Sequence, residues 1–334
     1  MDPITHVAAG VLIAQAGRER FPANTWFVPL AAFAAWMPDL DNIVTFFGPE
    51  AYMRYHRGYT HSILGATVMA WLLAWLVARF WREASRGRLF ILYLSCVLSH
   101  LFLDVITAYG TQLFLPFSHA RIAVSAVYIV DPVFTLALIA LAVASFLRSA
   151  GRRALAVAGL AVMLAWPALG LGVGRLAIAR AERLLTARGE TYQDIHVQPD
   201  AFAPLWWKIV AREGERYVLT GLDWLHPDTL LPERRFERAE SDELRRLGEQ
   251  APVFSHYVWF TDFPVKMVSD LPSGSRVTFA DLRFIAVNPL VTAVRGTAIP
   301  FTLSAELDTR GRLVRALFSQ VGKATVIMPS GMLR

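Results

Sequence analysis

The hydropathy of this chain is divided. Before about residue 180, runs of Ala, Leu, Val and Trp approach the roughly 20 residues that a helix needs to cross the hydrocarbon core of a bilayer. Such runs can only be helical there, because lipid offers no partner to an open backbone N–H or C=O. Four stretches, 62–78, 89–108, 124–147 and 154–178, read as full spans. Two shorter ones, 7–16 and 26–37, read as a re-entrant or tilted helical pair joined by the turn at 17–22. The later chain carries charges, prolines and alternating patterns. Residues 276–284 alternate in part, and 301–307 and 313–318 flank Asp308-Thr309-Arg310-Gly311-Arg312, a hairpin turn by composition. The expected fold class is therefore a multi-pass α-helical membrane domain over residues 1–180, followed by a soluble, β-rich (α+β) domain over 181–334.

Composition narrows the function. The hydrophobic share of 55% exceeds that of an ordinary soluble domain. The net charge of +6 would suggest nucleic acid, but the arginines gather at the ends of apolar runs and form no basic stripe with interleaved aromatics. Nucleic acid is not an expected partner; a bilayer is. One cysteine, Cys96, permits neither an intrachain disulfide nor a Cys-rich zinc motif, so any metal must be held by His and carboxylates. The N-terminus lacks the basic start of a signal peptide, and His6 is expected to remain in the mature chain.

Arginines also orient the helices. Arg18 and Arg20, then Arg79, Arg82, Arg86 and Arg88, then Arg148, Arg152 and Arg153 mark three loops that the positive-inside rule assigns to the cytoplasm. The other ends then face the periplasm or outside. On that side fall seven potential metal ligands: His6, Asp39, Asp41, His56, His61, His100 and Asp104. The C-terminal domain follows the last outward span and is expected there too.

Ionisable groups at membrane depth are costly and mark functional sites. His100 and Asp104 stand four apart, on one face of a helix, where both can reach one ion or simply bond each other across helices. His56 and His61 suit a turn entering a helix, or an interfacial loop. Asp39 and Asp41 follow Trp36-Met37-Pro38, as a ligand pair or as a solvated turn. Taken together, imidazole and carboxylate donors suit Zn²⁺, with Mn²⁺ or Fe²⁺ as alternatives, and there are donors for one or two ions. Asp39 or Asp41 is the candidate general base. Arg57, between the ligands, is a candidate clamp for an anionic oxygen or an interfacial charge meeting headgroups. Asp131 is either an outer-shell partner orienting a ligand His or a cap at a kinked helix. The loop 109–121 is expected to wall the site, with His119 a weaker ligand candidate.

His6 with Gly10, Pro38-Asp39-Leu40-Asp41, His56-Arg57-Gly58-Tyr59-Thr60-His61-Ser62, Ser99-His100-Leu101-Phe102-Leu103-Asp104, Gly110-Thr111 through Pro116-Phe117-Ser118, and Asp131-Pro132 together resemble the YdjM-like (LexA-regulated) family of inner-membrane metal-dependent hydrolases. The resemblance covers about the first 150 residues. It implies an inner-membrane hydrolase with metal ligands at His56, His61, His100 and Asp104, joined by Asp39 and His6. The family is distantly similar to zinc-dependent phospholipase C, which favours a phosphoester. The resulting expectation is a membrane hydrolase that uses metal-activated water on a phosphoester or related bond in a lipid-like, membrane-proximal substrate. The alternative is a transporter or metal-handling protein that uses the same His/Asp cluster.

Overall fold

The computed structural model describes residues 1–295, 299–320 and 323–328. Seven helices come first: α1 (Pro3–Gly17), α2 (Phe27–Trp36), α3 (Pro49–Tyr55), α4 (Ile63–Phe80), α5 (Arg86–Val105), α6 (Pro132–Leu147) and α7 (Arg152–Thr186). Their starts are written in the sequence. Asp2 accepts the Thr5 N–H, Ser62 accepts the Gly65 N–H, and Asp131 accepts those of Val133 and Phe134, each at 2.9–3.0 Å. Such caps satisfy donors that the first helical turn leaves orphaned. Pro3 and Pro132 add a preset φ at the first helical positions.

Among the described residues, α4, α5 and α7 are long and apolar enough to cross a membrane. The expected span 124–147 is shorter than read: its helix begins only at Pro132, because Asp131-Pro132 is a cap followed by a first-turn proline and so starts the helix. The fourth expected span continues beyond 178, since α7 runs for 35 residues with Pro167 inside it.

The chain divides into two compact units. The first holds residues 1–42, 57–173 and 201–203; the second holds 43–56, 174–200 and 204–334. In the first, α4 turns small and medium residues inward (Ala66, Ala70, Leu73, Ala74, Val77) and leaves Leu64, Val68, Trp71, Leu72 and Trp75 exposed. Small residues on the inner face let helix backbones approach closely, and large apolar ones outward suit lipid. Gly10 of α1 illustrates the closeness, since a Cβ there would stand 2.6 Å from the Ala31 carbonyl oxygen of α2.

The second unit is built on a nine-stranded antiparallel sheet in sequence order: β1 (Asp194–Pro199), β2 (Trp206–Glu213), β3 (Arg216–Asp223), β4 (Arg234–Arg238), β5 (Pro264–Leu271), β6 (Gly274–Asp281), β7 (Thr302–Asp308), β8 (Leu313–Gln320) and β9 (Lys323–Ile327). Helices α8 (Ser241–Gln250) and α9 (Val253–Phe260) lie between β4 and β5, and α10 (Pro289–Arg295) lies between β6 and β7 in the chain. Val210, Leu219, Phe236, Val265, Ala280 and Leu282 form a core on the sheet. The hairpin expected at 308–312 is present: Asp308 accepts the N–H groups of Arg310 and Arg312 at 2.9 Å, and Gly311 takes φ 76°. The strand expected over 276–284 stops at Asp281, whose carboxylate caps a tight turn over Leu282–Phe284. Lys208 is buried in this unit and donates to the carbonyls of Leu282, Arg283 and Ile285.

Candidate metal centre

Four chain segments of the first unit supply the cluster. His6 lies in the first half of α1, and Asp39 and Asp41 lie in the 3₁₀ stretch Met37–Phe47 that follows α2. That stretch buries both carboxylates and leaves Leu40 48% exposed between them. His61 ends the 3₁₀ turn Tyr59–His61, directly before the Ser62 cap of α4. Gly65 makes this approach possible, since a Cβ there would stand 1.9 Å from the Tyr59 carbonyl oxygen. His100 and Asp104 share a face of α5, four residues apart.

Four atoms converge. His61 Nε2 lies 3.0 Å from His100 Nε2 and 3.3 Å from Asp104 Oδ2. Asp104 Oδ2 is 3.5 Å from His100 Nε2, and Asp39 Oδ1 is 3.7 and 3.8 Å from the His100 and His61 Nε2 atoms. Ligand atoms bound tetrahedrally to one ion at about 2.0–2.1 Å are themselves about 3.3 Å apart. His6 stacks on His100 with ring centroids 3.6 Å apart, and its Nε2 lies 3.4 Å from Asp104 Oδ1. His6, His61, His100 and Asp104 are fully buried.

The hydrogen-bond pattern shows why these atoms turn inward. His100 Nδ1 donates to the Ala35 carbonyl at 2.7 Å, and His61 Nδ1 lies 3.0 Å from Asp41 Oδ2. When both rings are neutral and give Nδ1–H to these oxygens, both Nε2 atoms present lone pairs 3.0 Å apart, an arrangement that a cation between them stabilises. Asp104 Oδ2 and both ring nitrogens of His6 are buried without a hydrogen bond of good geometry. Orphaned buried donors and acceptors of this kind are costly unless an ion or solvent satisfies them. The donor set therefore fits a divalent cation.

Of the expected ligands, His6, Asp39, His61, His100 and Asp104 are brought together, with Asp41 on the outer side of His61. His56 is not among these groupings. It ends α3, its ring stacks on Tyr52 at 4.8 Å, and it belongs to the second unit, while the chain reverses at Arg57 with φ 57°. Arg57 does not stand ready to clamp an anion, because its buried guanidinium is 2.9 Å from Asp104 Oδ1 and reaches Thr107 and the Asp104 carbonyl. It also lies over the Tyr109 ring at 4.6 Å. The Met1 amine donates to Asp104 as well. Asp41 Oδ2 is engaged by the Arg57 N–H at 3.0 Å and the Thr60 hydroxyl at 2.9 Å in addition to His61. Asp131 serves as the N-cap of α6 and is in none of the groupings. Sequence reasoning missed Thr60, Thr107 and the Ala35 carbonyl; of these only Thr60, within the His56–Ser62 motif, carried any signal.

A family model described as YdjM inner membrane protein matches residues 1–178. An uncharacterized protein of Bacillus subtilis (strain 168), YfhP, is 31% identical over 140 residues, which is 40% of this chain and 42% of that one. The alignment thus spans less than half of that relative. No solved structure matches.

Proposed function

The chain belongs to the YdjM inner membrane protein family, and from that premise we propose that it is a multi-pass membrane metal-dependent hydrolase acting on a phosphoester or related bond of a lipid-like substrate. The observation that supports this reading is the convergence of His61 Nε2, His100 Nε2, Asp39 Oδ1 and Asp104 Oδ2 within an apolar unit. The arginine-rich loops at 18–20, 79–88 and 148–153, read as cytoplasmic by the positive-inside rule, favour a periplasmic or outer side for the cluster. A divalent ion, Zn²⁺ by donor type, would supply Lewis-acid polarisation of a phosphoryl oxygen and acidify a water near neutral pH.

The residues do the rest. Asp41 and the Ala35 carbonyl fix the His61 and His100 rings in the Nδ1–H tautomer, so that each Nε2 is available. Arg57 pairs with Asp104 and holds its carboxylate in place. Asp39, at the edge of the cluster and 9% exposed, is the carboxylate placed to take the proton of the attacking water. The apolar packing of Ala66, Ala70, Leu92, Cys96 and Val97 deeper in the unit offers little to a translocated ion, which weighs against the transport alternative. His61→Ala and Asp104→Ala are each expected to lose bound metal, by elemental analysis, and hydrolysis in a screen of phospholipids, lipid phosphates and generic phosphodiesters, while still inserting in the membrane. Unchanged activity with no bound metal would sink the reading.

A further inference from the structure

A groove of about 380 Å³ opens in the first unit, apart from the His/Asp cluster. Ala8, Ala32 and Ala142 contribute small side chains to its lining, and Val7, Val11, Val28, Ile139 and Phe146 contribute bulk. Every lining residue is apolar, and its outer residues stand open: Ile4 is 60% exposed, Phe146 55% and Leu147 74%. The groove is open along its outer residues, and in a bilayer an open, wholly apolar groove is filled by hydrocarbon.

We propose that this groove binds an acyl chain of the lipid substrate, and so aligns its headgroup with the metal cluster. The inference rests on the hydrolase reading above and adds to it the part of the substrate that is recognised. Three observations point to a lipid tail. First, the groove belongs to a membrane protein, and α1 and α6, with 15 and 16 residues, rise only about 22–24 Å, short of the roughly 30 Å hydrocarbon core. Tails beside these helices therefore meet the ends of the helices as well as their flanks.

Second, the groove and the cluster share α1. Ile4, Val7, Ala8 and Val11 line the groove, while His6, between them in sequence, joins the cluster. From Ile4 to Val11 the groove follows the helix for about 10 Å. Third, its direction is set by the helix ends. Thr5 of α1 meets Thr135 in the first turn of α6 at 2.8 Å, so the two helices begin together at the end that carries His6. Val11, Phe146 and Leu147 lie toward their far ends. A tail lying in the groove thus runs away from the cluster with its polar end at the His6 side.

The test uses the full-length protein in phosphatidylethanolamine–phosphatidylglycerol vesicles doped with a phosphatidylglycerol that carries a diazirine on its acyl chain. Photolysis and peptide mapping are expected to show adducts at Val7, Val11, Ile139 and Val143 several-fold above those on the exposed face of α4 at Leu64, Val68 and Leu72. Ala32→Phe and Ala142→Phe, which fill the groove, should abolish the groove adducts and leave the α4 adducts unchanged. The same variants should lower hydrolysis of long-chain phosphoesters about tenfold while sparing short-chain analogues with the same headgroup, with metal content unaltered. Equal labelling of groove and α4, or hydrolysis of long chains indifferent to the filled groove, would overturn the proposal. Groove labelling in a protein that hydrolyses no phosphoester would instead overturn the hydrolase reading, and with it the substrate role assigned to the tail. Val7→Trp, at the half-open edge of the groove, gives a second variant should the buried ones fail to fold.

Discussion

At the residue scale, the cluster is held by groups outside the converging set of His61, His100, Asp39 and Asp104. Asp41 binds His61 Nδ1 and also receives the Arg57 N–H and the Thr60 hydroxyl. Outer partners of this kind tune ligand orientation and basicity, and their loss costs about 10–100-fold in metal affinity. Asp41→Asn is expected to weaken Zn²⁺ binding by that factor, read by competition with a chromophoric chelator; undiminished affinity would remove Asp41 from the orienting role. Arg57 is the second such group. Its removal leaves Asp104 with a buried charge that has lost its main partner, a change worth about 3–5 kcal/mol. Metal-free Arg57→Met should therefore unfold at a lower temperature than the metal-free parent in detergent, with Arg57→Lys intermediate and added Zn²⁺ narrowing the gap. His100 and Asp104 were legible in the sequence because four residues on a helix is a fixed geometry. The absence of His56 from the groupings was not, because the spacing of the two histidines does not encode the positive φ of Arg57 that follows His56.

At the scale of elements, the approach of the Tyr59–His61 turn to the first turn of α4 depends on Gly65. A Cβ there would collide with the Tyr59 carbonyl, so Gly65→Ala must push the turn away from the helix and take His61 with it. The expected result is loss of metal content with helicity retained, measured by elemental analysis beside far-ultraviolet circular dichroism. Retained metal would mean that the turn can yield without moving His61. The elements themselves were only partly visible in advance. Asp131-Pro132 reads either as an interruption of an apolar run or as its start, and hydropathy cannot separate the two. The capping bonds from Val133 and Phe134 decide for a start. The hairpin at 308–312 was plain from its composition, whereas the end of β6 depended on Asp281 bonding the Arg283 N–H.

At the scale of the molecule, the two units should respond differently to metal and to pH. An ion bound only by the folded first unit stabilises it by about 2.7 kcal/mol at a free concentration of 100 times Kd. Chelation is thus expected to lower the unfolding temperature of the helical unit and to leave proteolytic resistance of the sheet unchanged; equal losses in both would contradict a site confined to the first unit. The sheet has its own titration. Burial pushes the Lys208 ammonium down to about 8, whereas the unfolded side chain titrates near about 10.4. Between these values the unfolded state binds more protons, so the stability of the sheet unit rises with pH across that window. Urea unfolding of the full-length protein followed by proteolysis of the sheet should show this rise, and Lys208→Met should flatten it. The slope is the readout, since the substitution also strips three carbonyls of their donor.

By itself the sequence determined the division into an apolar helical part and a β-rich part and the pool of residues from which a metal site could be drawn. These follow from composition and from local periodicity, which act over a few residues at a time. Only the tertiary structure decided which members of that pool meet. His6 and Asp104 are 98 positions apart, and their 3.4 Å contact arises from helix packing that no local pattern encodes. The same packing brings the Ala35 carbonyl to His100 and Arg57 to Asp104, making a candidate anion clamp the charge partner of a candidate ligand. It also leaves an apolar groove along the helix that carries His6.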